Sequence, residues 1–67
     1  MRITLNGKAN DEFDAPLSVA ELLEALKLGG QPVLVELNET ALRPREFEAV
    51  MIEDGAKLEI IRIAAGG

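Results

Sequence analysis

Sixty-seven residues, 48% of them hydrophobic, suffice for one small core, since a domain of this size buries only about 60% of the surface its unfolded chain exposes. A formal charge of −5 repels a phosphate backbone, and two Phe with no Trp or Tyr offer no platform for stacking bases, which argues against nucleic-acid binding. Cys and His are both absent, which excludes a disulfide scaffold, sulfur-ligated zinc and every Ser/His or Cys/His nucleophile pair.

The chain opens with Met1, Ile3 and Leu5 alternating with Arg2 and Thr4, a strand pattern rather than the long apolar centre of a secretion signal. No apolar run approaches the roughly 20 residues that span a bilayer, so a soluble cytoplasmic protein is expected. Asn6-Gly7 is the pair that most favours a two-residue hairpin turn of the I′ type. A second strand is predicted from Lys8 to Asp14, an edge anchored by Phe13, with Asp11 and Glu12 as solvated edge charges.

Ala15-Pro16-Leu17 is expected to break the sheet. Ser18-Val19-Ala20-Glu21 then reads as a capping box, in which the Ser18 hydroxyl and the Glu21 carboxylate each satisfy a free backbone N–H at a helix start. Leu17 and Leu22 flank it as a hydrophobic staple, and Val19, Leu22, Leu23 and Leu26 make the apolar stripe that faces the sheet. Leu28-Gly29-Gly30 is predicted to stop the helix through the left-handed angles that Gly adopts freely. These glycines follow a helix, whereas a phosphate cradle needs them before one.

Val33 to Leu37 forms the next predicted strand, with positions 33, 35 and 37 inward and Leu34 on the other side beside Glu36. Asn38-Glu39-Thr40 turns the chain, and Ala41 and Leu42 are expected to pair briefly. Arg43-Pro44-Arg45 then reads as an irregular surface segment that Phe47 pins to the core. An extended piece from Ala49 to Ile52 and a turn over Glu53-Asp54-Gly55-Ala56 precede the last strand, Leu58 to Ile63.

Leu58 and Ile60 of that strand should face inward and Ile61 outward. One helix cannot cover both faces of a sheet, so Ile61 and Leu34 are expected to be exposed. Two readings of them stand: isolated surface aliphatics, which are normal, or a patch on which a partner docks. The element order predicts an α+β domain over residues 1–63, a mixed four- to five-stranded sheet with one main helix across one face. Its first and last strands should run parallel, and residues 64–67 should form a flexible C-terminal diglycine tail.

No hydroxyl among Thr4, Ser18 and Thr40 has a visible activating partner, so catalysis by the chain itself is not expected. The remaining chemistry is that of Ala64-Ala65-Gly66-Gly67. The α-carboxylate of Gly67, ionised with a pKa around 3.5, is a poor electrophile until activated. Adenylation by ATP would make it a mixed anhydride open to sulfide, a thiol or an amine. Without Cys, any sulfur the chain carries must sit on the terminal carbonyl carbon.

The strand-turn-strand-helix-strand order, the Asn6-Gly7 turn, the Ser18-capped helix with Glu21-Leu22-Leu23, Leu37-Asn38-Glu39, Asp54-Gly55 and the final Ala65-Gly66-Gly67 together resemble the ubiquitin-like β-grasp sulfur carriers. The resemblance is to the ThiS-type carriers of bacterial thiamin-thiazole biosynthesis, within the ThiS/MoaD superfamily, and covers the whole chain. It implies that Gly67 is adenylated by an E1-like adenylyltransferase using ATP and Mg. The adenylate becomes a thiocarboxylate, with a persulfide as sulfur donor, and passes its sulfur to thiazole synthase.

By the same resemblance Gly66, Ala65 and Ala64 let the tail enter partner active sites, and Ile61, with Leu34, lies where such carriers dock. The chain itself would hold no cofactor or metal. The alternatives are the small subunit of molybdopterin synthase, with the same chemistry, a ubiquitin-like modifier joining Gly67 to a lysine, and a non-covalent binding module.

Overall fold

The structure is a computed structural model that describes residues 1–63, so the expected tail, residues 64–67, lies outside the described residues. Seven strands and one helix follow in the order β1 (Ile3–Leu5), β2 (Lys8–Asn10), β3 (Leu17–Ser18), α1 (Val19–Ala25), β4 (Val33–Leu37), β5 (Thr40–Leu42), β6 (Met51–Ile52) and β7 (Lys57–Arg62). A single 3-10 turn, Pro44–Glu46, separates β5 from β6. Five strands form one sheet in the order β2-β1-β7-β4-β5, with β1 and β7 parallel and the other neighbours antiparallel, as the sequence predicted.

Both hairpins of this sheet turn through two residues with positive φ. Asn6 and Gly7 have φ of 50° and 82°, the left-handed pair that a I′ turn demands. Asn38 and Glu39 take φ of 49° and 70° between Leu37 and Thr40, a turn of the same sense without glycine. The sequence reading placed the chain reversal here correctly. It gave β2 four residues too many, however. The Asn10 side chain accepts the Glu12 N–H at 2.9 Å, which bends the chain out of the ladder after Asn10.

Asp11 is also more than a solvated edge charge. It grips the Arg2 guanidinium at 2.9 Å and 3.0 Å and so ties the released segment back to β1. Phe13 packs against the core as expected. A second correction concerns Leu17, which does not simply break the sheet. Leu17–Ser18 pairs antiparallel with Met51–Ile52 as a separate two-stranded ladder, Leu17 opposite Ile52 and Ser18 opposite Met51. No local pattern marks a two-residue strand; the partner 34 positions away creates it.

The capping box at the start of α1 is present in full. The Ser18 hydroxyl accepts the Glu21 N–H at 3.0 Å, and the Glu21 carboxylate accepts the Ser18 N–H at 2.8 Å. Two further free donors of the first turn, Val19 and Ala20, bond the carbonyls of Val50 and Phe47 at 2.9 Å and 2.8 Å. The irregular segment after β5 is therefore the lid on this helix end. Val19, Leu22 and Leu23 are buried and Leu26 packs against them, which completes the predicted stripe.

The helix ends earlier than its glycines suggested. Lys27 takes the left-handed position with φ of 62°, and its N–H bonds Glu24 while the Leu28 N–H reaches back to Leu23 at 2.8 Å. Those two bonds make a Schellman stop with a lysine where Gly is usual. Gly29 instead lets the chain pass close to the Glu24 carboxylate, and Gly30 takes the next positive φ, 78°.

The core lies between α1 and one sheet face. Ile3, Val35, Leu58 and Ile60 from the sheet meet Val19, Leu22 and Leu23 from the helix, and Ile52 and Ala56 close one end. No helix among the described residues is long and apolar enough to cross a membrane.

Candidate functional site

The strand that leads to the last four residues, β7, is the central strand of the sheet. Its inward residues Leu58 and Ile60 are buried, and it lies between the parallel β1 and the antiparallel β4. β1 pairs with it over only two positions, Thr4 with Lys57 and Leu5 with Leu58. Where β1 turns away, the Asn6 side chain continues the ladder, its Oδ1 accepting the Ile60 N–H at 2.7 Å while the Asn6 backbone N–H donates to the Leu58 carbonyl at 2.8 Å.

Asn38 does the same at the start of β7. Its Oδ1 accepts the Lys57 N–H at 2.9 Å, and its N–H donates to the Lys57 carbonyl at 2.8 Å. Each turn asparagine thus has two functions: it tolerates positive φ and satisfies a donor of the central strand. The sequence reading found both turns but neither of these bonds. The donors lie 54 and 19 residues away, so no local signal could name them. Ladder bonding continues to the end of the described chain, where the Ile63 N–H meets the Pro32 carbonyl at 3.0 Å.

The predicted docking residues come together on the uncovered face. Leu34 and Ile61 stand directly opposite each other across β4 and β7 and are 56% and 58% exposed, as expected for a sheet with one helix. One step further along the same face, Glu36 stands opposite Glu59. The other sequence-predicted site residues, Ala64, Ala65, Gly66 and Gly67, lie outside the described residues.

Around the end of β7 the described residues offer little acid–base chemistry. An open apolar groove of about 500 Å³, lined by Leu23, Leu28, Pro32, Val33, Phe47 and Ile63 among others, borders it, and none of its lining residues is titratable. The resolved pKa perturbations belong to Arg2 and Asp11, at the opposite end of the sheet, where the Arg2 N–H and carbonyl are held by Asp54 and Gly55. Hydrogen bonding to Arg2 lowers the Asp11 carboxyl below its ordinary range, and the same bond raises the guanidinium. Among the described residues no group of three acidic, Cys or His side chains is placed to hold a metal ion.

The chain can be assigned by its relatives. The family model described as the ThiS family matches residues 2–67. The chain belongs to the ThiS family. A crystal structure of the thiamine biosynthesis protein ThiS from Geobacter metallireducens matches with a TM-score of 0.85 at 38% identity, over the whole of both chains. A solution structure from the same organism gives 0.82 at 36% identity, covering all of this chain and 88% of that one.

Among curated relatives, the uncharacterized protein ycf40 of Porphyra purpurea is 40% identical over 65 residues, 97% of this chain and 90% of that protein. A thiazole synthase of Paramagnetospirillum magneticum is 33% identical over all 67 residues, which amount to 20% of its own length. These likenesses bear out the β-grasp fold that the resemblance implied, and with it the α+β domain read from the element order. As a ThiS-family member, the chain is a small sulfur-carrier protein of thiamine biosynthesis rather than a catalyst.

Proposed function

We propose that the Gly67 carboxylate carries the sulfur. One of its oxygens attacks the α-phosphorus of ATP in an E1-like adenylyltransferase, where Mg accompanies the nucleotide, and pyrophosphate leaves. The terminal sulfur of a persulfide donor then attacks the activated carbonyl and displaces AMP. A thiol cleaves the resulting acyl disulfide, taking the donor sulfur into a new disulfide and leaving the thiocarboxylate on Gly67. That thiocarboxylate gives its sulfur to thiazole synthase.

The observation that carries this reading is the Gly66-Gly67 pair, which follows Ile63, the last described residue bonded beside the central strand, by three and four positions. Four residues reach at most about 14 Å, enough to deliver a terminus with no side chains into a cleft that the body of the domain cannot enter. The described residues supply no nucleophile or base suited to the chemistry, in keeping with partners that supply it. The alignment of this whole chain within a thiazole synthase supports that enzyme as the acceptor.

Leu34 and Ile61 lie on the strand pair leading to the tail and are the contact we assign to both partners. ThiS-family membership favours the thiamin pathway over molybdopterin synthesis and over protein modification.

Intact-mass measurement tests the proposal. With ATP, the adenylyltransferase and a persulfide donor, the protein should gain the mass difference between sulfur and oxygen, at Gly67. Deletion of Gly67 should abolish the gain and leave the melting temperature unchanged, because Gly67 is not among the residues that build the core. Conjugation to lysines instead would establish the modifier reading.

A further inference from the structure

The uncovered face carries a feature beyond its two aliphatics. Glu36 and Glu59 are directly opposite each other in the antiparallel β4–β7 ladder, the position at which like charges destabilise a sheet. Both point to the face of Leu34 and Ile61, because residues two apart along a strand share a side. Glu59 is half-buried, so its charge is less freely hydrated than that of a solvent-exposed edge residue.

Neither glutamate forms an ion pair among the described residues. The cations nearest in register are Lys57, two residues from Glu59, and Arg43, two residues from the Ala41 that pairs with Glu36. Lys57 pairs with Glu39 at 3.8 Å, and the Arg43 backbone N–H is bonded to Glu46. Glu36 and Glu59 thus share a register position on this face with no ion-pair partner among the described residues.

We propose that Glu36 and Glu59 form an acidic receptor on this face for a basic side chain of the partner protein. The occupant is a protein surface that sets an arginine or lysine beside apolar groups. The cation lies between the two carboxylates while the apolar groups cover Leu34 and Ile61. Charge complementarity selects this occupant over a second copy of the chain, since two-fold pairing of the face would bring four glutamates together and the chain is already at −5. Docking would relieve the repulsion, so the pair gives the face a preference for basic partners that aliphatics alone lack.

The inference rests on the docking role given to this face under the carrier reading. Calorimetric titration of the full-length protein with the E1-like adenylyltransferase, at low and at physiological salt, tests it. Three proteins are compared: the wild type, the double variant Glu36→Gln with Glu59→Gln, and Ile61→Asp. The glutamine variant should bind about tenfold more weakly at low salt, lose most of the salt dependence, and melt at a higher temperature than the wild type.

Affinity and salt dependence equal to the wild type would overturn the receptor. So would a lower melting temperature, because the glutamates would then be stabilising the sheet. Loss of binding in Ile61→Asp with none in the glutamine variant removes the receptor and keeps the docking face. Unchanged binding in every variant removes the face itself. The sulfur chemistry is read separately, by the mass of the wild-type protein.

Discussion

The two faces of β4 and β7 are built from neighbouring residues and have opposite fates. On the helix side Val33, Val35, Leu58 and Ile60 are buried, while one position along, Leu34 and Ile61 are more than half exposed. Burying the first set accounts for much of the core of a domain this small, at about 25 cal/mol for each Å² of apolar surface removed from water. The second set contributes little to folding, yet the chain keeps aliphatics there. The difference teaches that the alternation of a strand separates a face that builds the core from a face left open to solvent within a single element.

Variants at these positions can break that comparison, and the largest effect is expected on the buried side. Leu58→Ala, at a fully buried position of the central strand, should cost about 3 kcal/mol in denaturant unfolding, a large share of the total for a domain of this length. A loss below 1 kcal/mol would mean that the core can collapse around the gap.

Asn6→Gly keeps the positive φ but removes the acceptor of the Ile60 N–H, so it should cost about 2 kcal/mol, with Asn6→Asp recovering most of it. Faster amide exchange at Ile60 in the glycine variant checks the assignment. On the exposed side, Ile61→Asp should change stability by no more than about 1 kcal/mol while weakening partner binding. Unfolding of that variant would place Ile61 in the core and erase the contrast between the faces.

The smallest effect is expected at the exposed Arg2–Asp11 pair. The folded-state pKa of Asp11 is lowered, so its contribution is present above the unfolded carboxyl range and is lost as pH falls through the folded value. Asp11→Asn should therefore reduce the melting temperature slightly at neutral pH and leave it equal to the wild type in acid.

Much of the fold and part of the candidate site could be read from local residues. Ser18 and Glu21 announce the helix start because both partners of each capping bond lie within one turn, and Asn6-Gly7 announces its turn because the angles belong to those residues themselves. The exposure of Leu34 and Ile61 followed from strand parity and from the presence of one helix.

The features that escaped the sequence have more than one cause. β2 stops at Asn10 because a side chain captures the following backbone, and the helix stops before its glycines, with Lys27 in the left-handed position. Leu17–Ser18 becomes a strand only beside Met51–Ile52.

By itself, then, the sequence determined where the chain turns and which residues face inward, and it pointed to Gly67 as the residue expected to carry the chemistry. Tertiary structure alone decided that Asn6 and Asn38 hold the strand leading to that glycine, and that Glu36 meets Glu59 beside Leu34 and Ile61. The physical reason is range: caps and turns are satisfied within a few residues, whereas register and unpaired charge are properties of strands brought together from distant parts of the chain.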